Sequence, residues 1–361
     1  MIFTKIWEKM FFKNALKFIF FFSVAIYIIF FILDFSLHGT RFYSHTNATI
    51  LDIFIYYYHN FITYLNLFLS LALMLSIIKT IYSANINNEL TALQVAGISK
   101  YKLATPFFFI AFILTSLSYL NNQMLTPKSA KAIEAFKTTY SHSKKRSKAS
   151  SLRTVLLDDS SKIIYQKYDP TKKKILDVFW IKSIDDIWHI KSLSPLTTPP
   201  QGMFVDHFMR NQENKLVMQE SFKSYAFFQM NFDKAASASL EPFEFSPIST
   251  LYLQFKNKRY SSSKEKALLL SHLNYKLALP LLPFLIVIAL LPFCIRFSRT
   301  NHIYMISAVS LFCFIAFFIL MDAAIILAEN QVGNPFIIIW VPFICSFLFF
   351  GKNFIKKHAY S

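Results

Sequence analysis

The sequence predicts a polytopic α-helical membrane protein with six transmembrane helices and an all-β domain inserted between the third and the fourth. Three observations carry that prediction. Of the 361 residues, 54% are hydrophobic and 18% aromatic, more apolar surface than one water-soluble domain of this length can bury. Six stretches are long and apolar enough to cross a bilayer core, which takes about 20 residues. Between the third and fourth of these the apolar period changes from helical to two. The same composition excludes other classes. The aromatics exclude disorder, 5 glycines exclude collagen, and 3 cysteines exclude a disulfide scaffold.

The first span runs from Phe18 to Leu33 and extends toward Asn14 and Leu37 by tilting Lys17 and Asp34 to the interfaces. The opening ten residues do not read as a cleavable signal, because the apolar run is long and lacks a small-residue cleavage site. The second span is Phe61 to Ile78, closed by Lys79, and the third is Pro106 to Leu125, with no internal charge. The fourth runs from Leu268 to Ile295, with His272 and Lys276 in its first turns. The fifth is Ile303 to Leu327, containing Asp322, and the sixth is Pro335 to Phe350. The resulting expected division is 1–125, 126–266 and 267–361.

Orientation follows from the Lys and Arg in short flanks. Lys5, Lys9, Lys13, Lys100, Lys102, Arg296, Arg299, Lys352, Lys356 and Lys357 all fall on one side. The opposite short loops, 37–60 and 328–334, contain one basic residue, Arg41. Both termini are therefore expected in the cytoplasm and segment 126–266 outside it. That long segment's own charge does not count, since long domains translocate regardless of it.

The outer segment begins with a helical exit at Pro127 and a basic, Ser-rich linker to Lys148. After Leu152, short β-branched and aromatic runs follow: TVLLD, KIIYQKY, ILDVFWIKS, IWHIKS, KLVMQE and YAFFQM. Turn signals such as Asp158-Asp159-Ser160 and Asp169-Pro170 separate them, a pattern that suits a β-sandwich or roll. Ala235 to Ser249 reads as a loop, and Leu251 to Lys266 leads back to the membrane.

Chemistry of its own is not expected of this chain. No glycine sits in a Walker A or nucleophile-elbow frame, so ATP chemistry must come from another chain. Nine scattered His and three Cys, all inside spans, form no metal-ligand spacing, and no cofactor or metal is expected. The acidic pairs Asp158/Asp159 and Asp185/Asp186 read as turn residues. Net charge is +18, and segment 125–266 holds 24 Lys and Arg against 14 Asp and Glu. The largest cationic region therefore lies outside, which argues against nucleic acid and leaves either a lipid phosphate partner or a plain Lys-rich surface. Asp34, His272, Lys276 and Asp322 lie toward the outer ends of their spans, where each costs a few kcal/mol (~2–4) unless solvated or paired. Either they face a headgroup vestibule or they pair internally, Lys276 with Asp322 being the nearest candidate pair.

The segment between spans two and three is the most specific. Asn87 can cap a short helix with Glu89 at its N-terminal end. Leu90, Leu93 and Ala96 or Gly97 recur at helical spacing as a narrow apolar stripe. Gly97 suits the left-handed position after a helix, with Ile98 supplying the contact that follows. Such a short helix between spans is either a docking surface for a cytoplasmic partner or a helix lying on the lipid interface.

With these residues in view, the chain resembles the lipopolysaccharide-export permease family, LptF/LptG (YjgP/YjgQ). Glu89-Leu-Thr-Ala-Leu-Gln-Val-Ala-Gly97-Ile-Ser99 is similar to that family's coupling segment. Lys276-Leu-Ala-Leu-Pro280 resembles its fourth-span basic-x-x-x-Pro element, and Gly333-Asn-Pro335 with Trp340 and Pro342 resembles its sixth span. Lys162-Ile-Ile-Tyr165 and Glu244-Phe-Ser-Pro-Ile-Ser-Thr-Leu251 look like the entry strand and closing segment of its periplasmic domain.

The resemblance implies a non-catalytic half-transporter in the bacterial inner membrane, with a periplasmic β-jellyroll-like domain. It implies pairing with a paralogous, LptF-like permease around a central cavity, since the FILDF end of span one and the LTAL run look more LptG-like. A cytoplasmic ABC ATPase homodimer, LptB-like, would bind Glu89 through a basic residue and receive Leu90, Leu93, Gly97 and Ile98 in a groove. Lipopolysaccharide would enter between span one of one permease and span five of the other. It would then leave through the jellyroll and periplasmic bridge proteins, LptC/LptA-like, toward outer-membrane biogenesis. In one paralogue type, basic residues end span one. Here Phe31-Ile-Leu-Asp34-Phe-Ser-Leu-His38 is acidic, so Arg41 or Lys276 is expected to meet the glycolipid phosphates. Two other readings fit the bare pattern: an envelope scaffold or sensor without transport, and a six-span ABC export subunit for another lipid.

Overall fold

The computed structural model describes residues 5–43, 49–140, 153–157, 159, 161–169, 174–195, 197–211, 215–230, 232, 243–257, 260, 262–295 and 303–359. Arg296, Arg299, Asp158, Pro170 and the linker after Tyr140 lie outside them, and so does the side chain of Arg41. The chain divides into two compact units, Met1–Thr126 with Asn274–Ser361, and Pro127–Leu273.

Six helices are long and apolar enough to cross a membrane, at Ile6–Leu37, Ile50–Ile86, Tyr101–Phe136, Ser263–Cys294, Tyr304–Glu329 and Pro335–Ile355. The elements behind them are α1 (Ile6–Tyr43), α2 (Ile50–Ile86), a short α3 (Glu89–Val95) and α4 (Lys100–Leu120), which continues through a π-turn at Asn121–Leu125 into α5 (Thr126–Tyr140). They resume with α7 (Ser263–Ala278), a 3-10 turn at Leu279–Leu281, α8 (Leu282–Cys294), α9 (Ile303–Glu329) and α10 (Pro335–Ala359). Pro280 and Pro283 explain the interruption between α7 and α8, because proline lacks the N–H that a continuous helix requires.

Several helices outrun their apolar stretch. The 37 residues of α2 span about 55 Å, against about 30 Å of hydrocarbon. Its start is set by a capping box, Thr49 with Asp52, that lies well ahead of Phe61. Apolar length thus marks the bilayer crossing, while caps mark the helix ends.

The core of the membrane unit gathers Ala72, Leu73 and Ile77 of α2, Phe107 and Ile110 of α4, and Val287 and Leu291 of α8, each at most 1% exposed. Small residues permit close helix approach, and at one such point the Ser76 hydroxyl donates to the Ala15 carbonyl at 2.8 Å. Burial is unequal. The apolar windows of α2, α4 and α8 are 56%, 50% and 61% buried, those of α1, α9 and α10 only 6%, 22% and 17%.

In the other unit the expected all-β insertion is one six-stranded antiparallel sheet, β1 (Arg153–Leu156), β2 (Lys162–Asp169), β3 (Lys174–Ile181), β4 (Asp186–Ser194), β5 (Gln201–Arg210) and β6 (Leu216–Ala226), in sequence order. The strand order is that of a meander in one open sheet, and the sheet bends along a crease. The ladders run in constant register from β2 to β5 but skip one row, Gln166, Asp177, Lys191 and Phe204, and the β5–β6 ladder skips its continuation at Lys223.

Across that row the inward face changes parity. Ile175 and Val178, Ile190 and Leu193, and Gly202 and Val205 are buried three residues apart instead of two. Asp177 (φ 49) and Phe204 (φ 54) absorb the turn of the backbone. Inside the crease there is no room for a side chain at Gly202, where a Cβ would meet Phe227 at 2.8 Å and Ile190 and Val205 at 2.9 Å. A helix α6 (Ile248–Lys256) follows the sheet, where the sequence reads partly as loop.

The expected strands do not include β5, and β6 takes in the KLVMQE run after its Lys215 and only Tyr225 and Ala226 of the YAFFQM run. The crease breaks strict alternation in β5, and period-2 patterning is the main local signal of a half-buried strand.

Candidate functional site

The segment between α2 and α4 is built from two end signals. Asn87 ends α2 rather than capping the next helix. Asn88, left-handed at φ 57, starts α3 with no side-chain cap bond. At the other end the Ile98 N–H reaches the Leu93 carbonyl at 3.1 Å and the Gly97 N–H reaches the Gln94 carbonyl at 3.0 Å. This pair of bonds defines a Schellman closure with Gly97 at φ 78. Ser99 then begins α4 in extended conformation.

The apolar stripe of α3 faces its own unit. Leu90 is 2% exposed and belongs to the core of the membrane unit, with Leu93 and Ile98 packed partly buried against it. These contacts hold α3 on its own spans. The outward face is Ala92, Val95, Ala96 and Gly97, with Val95 84% exposed, and Glu89 stands half-buried at its edge. Helical spacing shows that Leu90 and Leu93 share a face but not what the face meets, and it does not single out Val95.

The intramembrane polar residues fall into separate contacts. Asp34 on α1 acts on the hydroxyls of Tyr57 and Tyr56 of α2. Beside it Tyr27 donates to the Tyr57 carbonyl at 2.9 Å. Tyr275 on α7 donates to Asp322 on α9 at 3.1 Å, so Asp322 is held by the neighbour of Lys276. Trp340 on α10 donates to Asn274 at 3.1 Å, and Tyr119 on α4 donates to the Leu277 carbonyl at 2.8 Å. Consecutive residues Asn274 and Tyr275 thus tie α7 to both α10 and α9. Asn66 of α2 donates to Asn122 at 2.9 Å, and Asn121 donates to the Ile62 carbonyl at 3.0 Å, placing the π-turn on α2.

Such bonds are what a membrane interior demands of polar groups. Lys276 is 8% exposed within the membrane unit. His272 is 9% exposed in the other unit.

On the sheet, among the described residues, β6 is bonded on one side only, to β5, and its Leu216, Val217 and Met218 are 47%, 46% and 55% exposed. An edge strand with apolar side chains is a template for strand addition.

Six spans, a short helix between the second and third, and a creased sheet inserted before the fourth together define a multi-pass membrane protein with an inserted β domain. The model of the family described as lipopolysaccharide export system permease LptF/LptG matches residues 9–355. The chain belongs to that family. No curated protein, taken singly, matches the sequence.

Proposed function

We propose that this chain is one of two permease subunits that extract lipopolysaccharide from the inner membrane and pass it to a periplasmic bridge. The observation that carries the reading is the family match over residues 9–355, nearly the whole chain. In this reading both termini are cytoplasmic and residues 126–266 are periplasmic, between membrane segments 1–125 and 267–361.

The low burial of α1 and α9 supports their role as the two gate helices, each facing the other permease, LptF-like, across a lateral opening. ATP hydrolysis is supplied by an LptB-like ATPase homodimer that docks on Glu89, Ala92, Val95 and Gly97. The exposed edge of β6 supports strand addition by an LptC/LptA-like bridge protein. Asp322, held by Tyr275, and Asp34, beside Tyr56 and Tyr57, keep their helices in register while cargo passes, and Arg41 is the candidate for its phosphates.

Depleting the chain tests the transport reading. Lipopolysaccharide should accumulate at the inner membrane, and unchanged delivery to the cell surface would refute it. Glu89→Lys tests the docking: the ATPase should no longer co-purify while the protein remains inserted.

A further inference from the structure

The end of the membrane unit that carries α3 contains a groove of about 880 Å³, within the range of about 300–1,000 Å³ typical of ligand sites. It lies between α8 and α9, with α2 and α10 completing the wall, and runs from Tyr82 and Asn85 to Leu320. Ala289, Phe293, Val309 and Ala316 are among its apolar lining residues. The groove exists because α9 packs chiefly on α10 and touches α8 little.

Every wall helix is a membrane span, so the groove lies at the depth of lipid chains. Apolar walls give water few partners, and an empty apolar void forfeits packing on all sides. Of the polar lining groups, Ser310 spends its hydroxyl on the Ile306 carbonyl at 2.6 Å. Tyr82 and Asn85 lie in the last two turns of α2, and the exposed Lys79 holds its ammonium 5.9 Å from the Tyr82 ring centroid. An apolar trough with a cation at its rim is complementary to an amphiphile with an anionic head.

We infer that the groove holds the acyl chains of a resident anionic glycerophospholipid from the leaflet on the α3 side, with its phosphate at Lys79 and Tyr82. The lipid fills the space between α8 and α9 and leaves α9 free to move without opening a void. This inference rests on the membrane class of the chain and not on the proposed cargo.

The test uses the full chain with its co-purifying partners in phosphatidylcholine nanodiscs, doped with phosphatidylglycerol carrying a photoreactive acyl chain. Cross-links should fall on 282–294 and 305–320 and be competed by unlabelled phosphatidylglycerol. Ala289→Trp and Ala316→Trp, which fill the groove, should abolish them. Lys79→Gln should weaken phosphatidylglycerol labelling about fivefold, and phosphatidylcholine labelling little. Labelling that neither competitor nor Trp variant reduces would overturn the inference. So would cross-links from these residues to another protein chain, or lipopolysaccharide displacing the probe in preference to phosphatidylglycerol. If a Trp variant is not recovered, competition on the unmodified chain decides: saturable labelling supports the site and unsaturable labelling rejects it.

Discussion

The backbone N–H of Ile98 donates to the Leu93 carbonyl at 3.1 Å, across a turn that only Gly97, at φ 78, makes without strain. A Cβ at Gly97 would meet nothing within 4 Å, so the demand is conformational and not steric. Gly97→Ala should therefore cost about 1–2 kcal/mol of local stability, while Gly97→Asn, which tolerates the left-handed region, should be milder. Recovery of the co-purifying ATPase should rank Gly, Asn, Ala. An Ala variant indistinguishable from the parent would mean that the closure does not position the docking helix.

Leu90 and Val95 lie on one short helix and should respond oppositely. Leu90→Ala removes a buried side chain and should destabilise the membrane unit by about 2–5 kcal/mol, read as a lowered melting temperature in detergent. Val95→Ala should change stability by less than about 0.5 kcal/mol, and Val95→Glu should sharply reduce ATPase recovery. Normal recovery with Val95→Glu would move the docking surface elsewhere.

Gly202 is expected to tolerate no side chain. With three neighbours under 3.0 Å from a Cβ, Gly202→Val should cost about 1–3 kcal/mol or more as the crease opens. Limited proteolysis of the full chain should show faster cleavage within 153–226, with the membrane spans protected as before. Unchanged cleavage there would contradict the tight inner corner.

The bond between Tyr275 and Asp322 is measurable by a double-mutant cycle. Tyr275→Phe and Asp322→Ala should couple by about 0.6 kcal/mol, the average for hydrogen bonds between membrane helices. A cycle with Lys276→Met in place of Tyr275→Phe should give a smaller coupling. The reverse ranking would restore the Lys276–Asp322 ion pair suggested by the sequence.

Sequence alone determined the six spans, because a bilayer accepts only segments that satisfy their own backbone and present apolar side chains. It also placed the β insertion, the left-handed Gly97 and the short helix before it, each written in a local period or a single permissive residue. Tertiary structure decided what those features face. The Leu90 stripe turns inward, Asp322 is held by Tyr275, β5 joins the sheet despite broken alternation, and a groove opens where α9 leans away from α8. The physical reason is common to all four. Periodicity records which side chains share a face, but whether that face meets a neighbouring helix, a lipid or a partner depends on packing between segments far apart in the chain.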